Sequence, residues 1–130
     1  MQLVEPCASW KRAFLELARD YEAAGEHRYA QAAADFVAYL RTLEERRRGD
    51  GLPEGWIPGT ERWLEHDGQL VACVRIRFHL TPDLEREGGH IGYDVRPSKR
   101  RQGYGTTLLR LALVHARTLG ITPRPHHVRR

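Results

Sequence analysis

A short segment rich in glycine and arginine contains the residues best suited to chemistry. Residues 96–106 read R-P-S-K-R-R-Q-G-Y-G-T, with three consecutive cations at 99–101. A glycine-containing turn that opens a helix presents unpaired backbone N–H groups at the positive end of the helix dipole. Gly103 and Gly105 let the backbone approach a diphosphate where a Cβ would intrude, and Thr106 adds a hydroxyl donor. The segment therefore predicts a phosphate-binding loop.

Two common phosphate motifs do not fit this loop. The dinucleotide fingerprint G-x-G-x-x-G needs a third glycine where Leu108 stands, and it needs an acidic residue about 20 positions further on. No acidic residue follows Asp94, and the P-loop pattern is absent from the sequence. A lone Gly-x-Gly is also explained by a plain structural turn, so the motif alone does not name the ligand.

The charges of the chain are unevenly distributed. All 17 acidic residues lie at or before Asp94, whereas residues 95–130 carry nine basic residues, so a segment of +9 follows one of −5. This split indicates a polyanionic ligand at the C-terminal third, either a phosphorylated cofactor or nucleic acid. Solvated surface arginine is the competing explanation. Nucleic acid is disfavoured because the chain has no recognisable nucleic-acid-binding motif and no aromatic residues interleaved with the charges.

The overall composition predicts one soluble domain. The chain has 130 residues, of which 41% are hydrophobic and 29% charged. No apolar run is long enough for a membrane helix, and the N-terminus lacks a signal-peptide pattern. Cys7 and Cys73 do not have metal-ligand spacing, and Cys73 lies in an apolar run typical of a buried thiol. These features predict a cytoplasmic protein without a metal.

The predicted elements around the loop are two helices, a hairpin, a strand and a last helix. The first helix covers 9–24 and is capped by Ser9, and the second is capped by Asp35 and ends before Gly49. A hairpin of 62–66 and 69–80 turns at Asp67-Gly68, and its alternation predicts one buried and one polar sheet face.

The remaining elements follow after a possible helical turn at 81–87 and a glycine pair at 88–89. A strand covers 90–95 and a helix covers about 105–119. The buried stripe predicted for this helix consists of Leu109, Ala112, Ala116 and Leu119. The tail over 121–130 is predicted to be irregular and basic.

The loop resembles a known family signature. Arg100-Arg101-Gln102-Gly103-Tyr104-Gly105 matches the [Gln/Arg]-x-x-Gly-x-[Gly/Ala] pattern of the GNAT N-acetyltransferase superfamily. The stretch 88–121 is similar to a group of bacterial acetyltransferases, and the likeness covers nearly the whole chain up to residue 121. The resemblance implies one GNAT-like α/β (α+β) domain over 1–130, with a mixed, mainly antiparallel sheet flanked by helices.

The resemblance also implies an activity and a set of binding residues. The activity is transfer of an acetyl group from acetyl-CoA to a primary amine of a small molecule or a protein. Backbone amides at 102–106 would hold the CoA diphosphate, and the strand ending at Val95 would pair with the pantetheine arm. The implied cofactor-binding residues are Asp94, Val95, Arg100, Arg101, Gln102, Gly103, Tyr104, Gly105 and Thr106.

The catalytic residues follow less directly from the residue types. An alkylammonium must lose a proton before it attacks, which needs a base at neutral pH. His90 is the first candidate because histidine titrates near neutral pH, and Tyr93, beside the expected thioester, is the second. His79, Glu87 and Asp94 are alternatives, and a surface or cross-strand polar role competes for each of them.

The chain departs from the family pattern at its C-terminal end. A complete GNAT domain continues with further strands and with a helix that often carries a tyrosine acid, whereas this tail has no strand pattern. We therefore expect a sheet that lacks the usual C-terminal strands and has an open edge at 90–95. Either a second copy of the chain covers that edge as a homodimer, or the protein is a truncated, non-catalytic relative that binds CoA or a partner.

Overall fold

The computed structural model describes residues 1–80, 90–121 and 128–129. In chain order its elements are β1 (Gln2–Val4), α1 (Lys11–Ala23), α2 (Ala30–Ala34), α3 (Phe36–Arg48), β2 (Gly59–His66), β3 (Gln69–Arg77), β4 (Ile91–Val95), α4 (Tyr104–Thr118) and β5 (Val128–Arg129). The sheet order is β1-β2-β3-β4-β5, with β1 to β4 antiparallel and β5 parallel to β4. The predicted mixed α/β fold with a mainly antiparallel sheet is confirmed.

The β2–β3 hairpin forms as predicted, but with a bulge. Asp67 (φ 52°) and Gly68 (φ 80°) both take the left-handed conformation of a type I′ turn. Val71 has no partner in the β2–β3 register, so the pairing shifts by one residue there. As a result Glu61 stands directly opposite Arg75.

Helices cover both faces of the sheet. α1, α2 and α3 pack on one face and α4 packs on the other. The prediction of one buried and one polar face is therefore wrong. The strand residues on the α1–α3 face include charged groups, but these are paired with each other beneath the helices.

α1 buries one face against the sheet and the neighbouring helices. Its buried residues are Phe14, Leu17, Ala18 and Tyr21. Ser9 does not cap the helix, because a 3-10 turn over Ala8–Trp10 comes first and Trp10 occupies the N-cap without a side-chain bond. α3 begins and ends as predicted: Asp35 accepts a hydrogen bond from the Ala38 N–H (3.1 Å), and Gly49 has φ 81°.

α4 packs with a slightly different stripe from the one predicted. Its buried residues are Leu108, Ala112 and Ala116. Leu109 is only partly buried and Leu119 is 41% exposed. Leu108 takes the central place because the residues at 108, 112 and 116 repeat every four positions and face the sheet together.

Two short elements and one strand end also differ from the prediction. β1 and α2 have three and five residues, too few to show a periodicity. β3 ends at Arg77 rather than at Leu80. The Phe78 N–H donates to the Pro58 carbonyl (3.0 Å), and Pro58 has no N–H with which to continue the ladder.

The tail contributes a strand that the sequence did not predict. Val128 pairs with Ile91 and Arg129 with Gly92, in parallel. The predictions of an irregular tail and of a sheet without a later strand are therefore wrong at these two residues. The predictions on 81–89, including Glu87, and on 122–127 lie outside the described residues. Within the described part of the chain, no helix is both long and apolar enough to cross a membrane.

Candidate active site

A cleft of about 520 Å³ lies where the outer edge of β4 meets the start of α4. Its lining residues are Arg28, Tyr93, Asp94, Val95, Lys99, Arg100, Arg101, Gly103, Tyr104, Gly105 and Thr106. Eight of the nine predicted cofactor-binding residues are among them. The exception is Gln102, whose side-chain amide donates to the Ser98 carbonyl (3.1 Å) instead.

The floor of the cleft is the N-terminus of α4. Gly103 occupies the N-cap with φ 86°, and no side chain caps the helix. The Thr107 N–H bonds back to the Gly103 carbonyl (3.3 Å), whereas the amides of residues 104–106 precede the intrahelical ladder. These amides and the helix dipole form an anion-binding end next to the cleft.

The two glycines of the loop have different roles. Gly103 requires its positive φ, which only glycine adopts without strain. A Cβ at Gly105 would stand 3.4 Å from Tyr93 Cε2 and 3.7 Å from Val95 Cγ2, which is ordinary van der Waals contact. Gly105 therefore faces the side chains of β4, whereas a Cβ at Gly103 would meet no described heavy atom within 4 Å.

The predicted phosphate-binding Arg100 is held by other groups. Its two terminal nitrogens donate to the Glu26 carboxylate (2.8 and 3.0 Å), and its Nε donates to the Val95 carbonyl (2.9 Å). The hydrogen bond from Arg100 holds the pKa of Glu26 below its ordinary value. Arg100 thus connects the loop to the segment between α1 and α2. Lys99 and Arg101 have no acidic partner among the described residues.

A second connection anchors the start of the loop to α1. Asp20 accepts from Arg96 Nε (2.6 Å) and from the Ser98 hydroxyl. Burial alone would raise the pKa of Asp20, but the hydrogen bonds from Ser98 and Arg96 outweigh it and the pKa is lowered. The first half of the loop is therefore held at two points by acidic residues of the N-terminal half.

Asp94 is the most heavily bonded side chain at the cleft. Its carboxylate accepts hydrogen bonds from the Tyr21 hydroxyl, the Tyr29 hydroxyl (2.9 and 3.0 Å), Arg75 (2.9 Å) and Arg28 (3.1 Å). The side chain is only 9% exposed. These bonds join β4 to α1, to the segment before α2 and to β3, so the Asp94 side chain holds the strand in place.

The polar cluster extends from Asp94 beneath the helices. Arg75 Nε lies 3.1 Å from Glu61, which also accepts from Tyr39 (2.7 Å) and Trp63 (2.8 Å). Burial alone would lower the pKa of Arg75, but Glu61, followed by other neighbours, raises it overall. Burial, reinforced by Glu61, raises the pKa of the Tyr39 phenol. Arg75 therefore keeps its charge and Tyr39 its proton at neutral pH.

Sequence reasoning missed this cluster. The available signal was a pair of opposite charges, Glu61 and Arg75, on the two strands of one hairpin. A regular two-residue hairpin would place Glu61 opposite Val74, and only the bulge at Val71 brings it opposite Arg75.

The predicted bases are spread along the sheet. His90 immediately precedes β4, is half-buried, and accepts the Arg77 N–H at its backbone carbonyl (2.7 Å). By strand alternation it shares a face with Gly92, whereas Tyr93 lies on the α4 side and lines the cleft. His79 is exposed beyond the end of β3.

Sequence comparison identifies the family. The sequence model of the Acetyltransferase (GNAT) family matches residues 5–124. The chain belongs to this family. No curated protein and no solved structure matches it. GNAT proteins are acetyltransferases that generally use acetyl-CoA and an acceptor, so this GNAT chain has the architecture of an acyl-transfer enzyme.

The described part of the GNAT chain also holds two free thiols and no metal-ligand cluster. Cys7 is exposed and Cys73 is buried, which raises the pKa of the Cys73 thiol. Within residues 1–80 and 90–121, no group of three His, Cys, Asp or Glu side chains is arranged to hold a metal ion.

We expect Asp94→Asn to lower the free energy of unfolding by about 3 kcal/mol, because it leaves the half-buried Arg75 without one of its two carboxylates and removes the charged acceptor of Tyr21 and Tyr29. Asp50→Asn is the matched control, since Asp50 is exposed. Urea denaturation of both variants measures the difference. A loss below about 0.5 kcal/mol in Asp94→Asn, the range of ordinary surface substitutions, would show that the cluster does not hold β4.

Arg100→Gln and Glu26→Gln should weaken acetyl-CoA binding equally, by about two- to fivefold, if Arg100 only anchors the loop. Both substitutions break the same ion pair. Calorimetric titration of the two variants gives the dissociation constants. If Arg100 instead contacts the diphosphate directly, Arg100→Gln should weaken acetyl-CoA binding much more than Glu26→Gln does.

Proposed function

We propose that the GNAT chain is an acetyl-CoA-dependent N-acetyltransferase that acts on a primary amine. The observation that carries this proposal is the cleft at the edge of β4, which ends on the open amides of α4. We also propose a cytoplasmic location, which the free thiols of Cys7 and Cys73 support.

The N-terminus of α4 fits the diphosphate of the cofactor. The amides of residues 104–106 converge on the cleft, and the positive φ of Gly103 turns the chain into the helix without a side chain in the way. Lys99 and Arg101 line the same cleft and have no acidic partner among the described residues, so their charges are available to phosphate.

The outer edge of β4 fits the pantetheine arm. β5 pairs with Ile91 and Gly92, so the edge at residues 93–95 has no strand neighbour among the described residues. An extended chain that carries amides can pair with such an edge as an added strand. In the antiparallel ladder the backbone groups of Asp94 point toward β3, and those of Tyr93 and Val95 point outward. The Val95 carbonyl is already occupied by Arg100 Nε, which leaves the N–H and carbonyl of Tyr93 and the N–H of Val95 for the pantetheine amides.

The chemistry needs an activated acetyl group, a neutral amine and a proton path. Bound acetyl-CoA supplies the thioester. The amine nitrogen forms a bond to the acetyl carbon, the C–S bond breaks, and one proton passes from nitrogen to the departing sulfur. We propose that a β4 backbone N–H stabilises the charge on the carbonyl oxygen. His90, on the face of Gly92, takes the amine proton through water, and Tyr93 gives a proton on the cofactor side.

The alternative is a non-catalytic relative that binds CoA or a partner chain. The observation that favours it is the same edge at residues 93–95, which a second copy of the chain could cover as a homodimer. The two functions differ in how acetyl-CoA binding depends on the protein concentration. Dimerisation through this edge would compete with acetyl-CoA, whereas the enzyme binds acetyl-CoA as a monomer.

Gly103→Glu should weaken acetyl-CoA binding by about tenfold or more, because it places a carboxylate at the helix end that receives the diphosphate. Gly68→Glu is a closely matched control. Gly68 has φ 80° against 86° for Gly103, and a Cβ would meet no described heavy atom within 4 Å at either position. Calorimetric titration with acetyl-CoA measures both. If both variants weaken acetyl-CoA binding equally, the diphosphate does not bind at the N-terminus of α4.

His90→Gln should lower kcat by about a hundredfold and remove the acidic limb of the pH–rate profile, as expected for loss of a general base. Tyr93→Phe should lower kcat without changing the dissociation constant for acetyl-CoA. Steady-state kinetics with a reactive amine and titration of the same preparations check both variants. If His90→Gln keeps the wild-type kcat and pH profile, another group acts as the base.

A further inference from the structure

A second cavity of about 310 Å³ lies on the α1–α3 face of the sheet. It is enclosed by α3, the loop before β2, and the strands β2, β3 and β4. Its lining residues are Leu43, Arg46, Gly55, Trp56, Ile57, Gly59, Thr60, Glu61, Arg75, Ile76, Arg77 and Gly92. None of the sequence predictions concerned this cavity.

The second cavity and the cofactor cleft meet along β4. Gly92 lines the cavity, and the next three residues of the strand line the cleft. A Cβ at Gly92 would meet no described heavy atom within 4 Å, so this residue leaves open space at the junction. A molecule in the cavity can therefore present one end to the part of β4 where the thioester is expected.

The walls of the cavity include a cation, Arg46, that has no carboxylate partner among the described residues. The carboxylate of Glu61, which also lines the cavity, is already paired with Arg75. Arg46 lies with its guanidinium carbon 5.1 Å from the centre of the Trp56 ring, and its Nε is buried without a hydrogen-bond partner among the described residues.

The buried Nε of Arg46 is the group in the cavity that a ligand would satisfy. An anion in the cavity would accept a hydrogen bond from this donor and pair with its charge. Leu43, Trp56 and Ile57 supply an apolar wall beside this charge.

We propose that this cavity is the acceptor site and that the acceptor is a small primary amine that also carries a carboxylate, as a free amino acid does. The proposal rests on the proposed acetyltransferase function. The carboxylate lies against Arg46, the side chain packs on the apolar wall, and the amine points past Gly92 toward the cofactor cleft. The volume suits a small molecule rather than a folded protein segment.

The test compares amines that differ only in the carboxylate. Leucine is paired with 3-methylbutylamine and phenylalanine with 2-phenylethylamine, within a panel of the common amino acids. We expect kcat/KM to be at least about tenfold higher for the preferred amino acid than for its decarboxylated partner. Arg46→Gln should reduce the amino-acid value about ten- to a hundredfold and reduce the amine value much less, so that the preference for the amino acid is lost.

Arg41→Gln is the matched control, because Arg41 lies on the same helix, is exposed and does not line the cavity. Gly92→Val, which fills the junction, should raise KM for the amino acid more than tenfold. Equal rates for both members of each pair, or equal effects of Arg46→Gln and Arg41→Gln, would overturn the inference and leave the acetyltransferase function intact.

Calorimetric titration of amino acids into the CoA-loaded protein separates the two proposals. Binding that Arg46→Gln abolishes, without any acetyl transfer, would support the site and contradict the enzymatic function. Absence of both binding and transfer across the amino-acid panel, in a protein that binds acetyl-CoA, would overturn the acceptor inference.

Discussion

The carboxylate of Asp94 fixes the position of β4, and both cavities depend on that strand. It joins β4 to α1 through Tyr21, to the segment before α2 through Tyr29, and to β3 through Arg75. Successive strand residues alternate between the two faces of the sheet. Because Asp94 is anchored on the α1–α3 face, its neighbours Tyr93 and Val95 point toward α4. The edge of the cofactor cleft is therefore set by a polar cluster on the opposite face of the sheet.

Part of the uneven charge of the sequence is explained by pairing within the structure. Basic residues of the C-terminal third pair with acidic residues of the N-terminal half: Arg96 with Asp20, and Arg100 with Glu26. These pairs hold the loop in place, which would lower the cost of ordering it around a ligand. Lys99 and Arg101 line the cleft without an acidic partner among the described residues, so internal anchoring explains only part of the charge split.

Features that a few neighbouring residues specify could be predicted from the sequence. Features that depend on how separate strands pair with each other could not. The Asp67-Gly68 turn, the Asp35 cap and the loop around Gly103 are each specified within a few residues, and all appear in the structure. β5 has only two residues, and the pairing of Glu61 with Arg75 depends on a bulge. Neither leaves a periodic pattern, because both result from contacts between distant parts of the chain.

If β4 and the α4 N-terminus form one cofactor site, a crystal structure of the chain with bound CoA will show diphosphate oxygens within about 3 Å of the backbone N–H groups at residues 104–106. The pantetheine amides will lie along the β4 edge against the backbone groups of Tyr93 and the Val95 N–H, with the Arg100–Glu26 pair intact. CoA bound elsewhere, or a second copy of the chain paired with that edge in a protein that does not take up CoA, would contradict this arrangement.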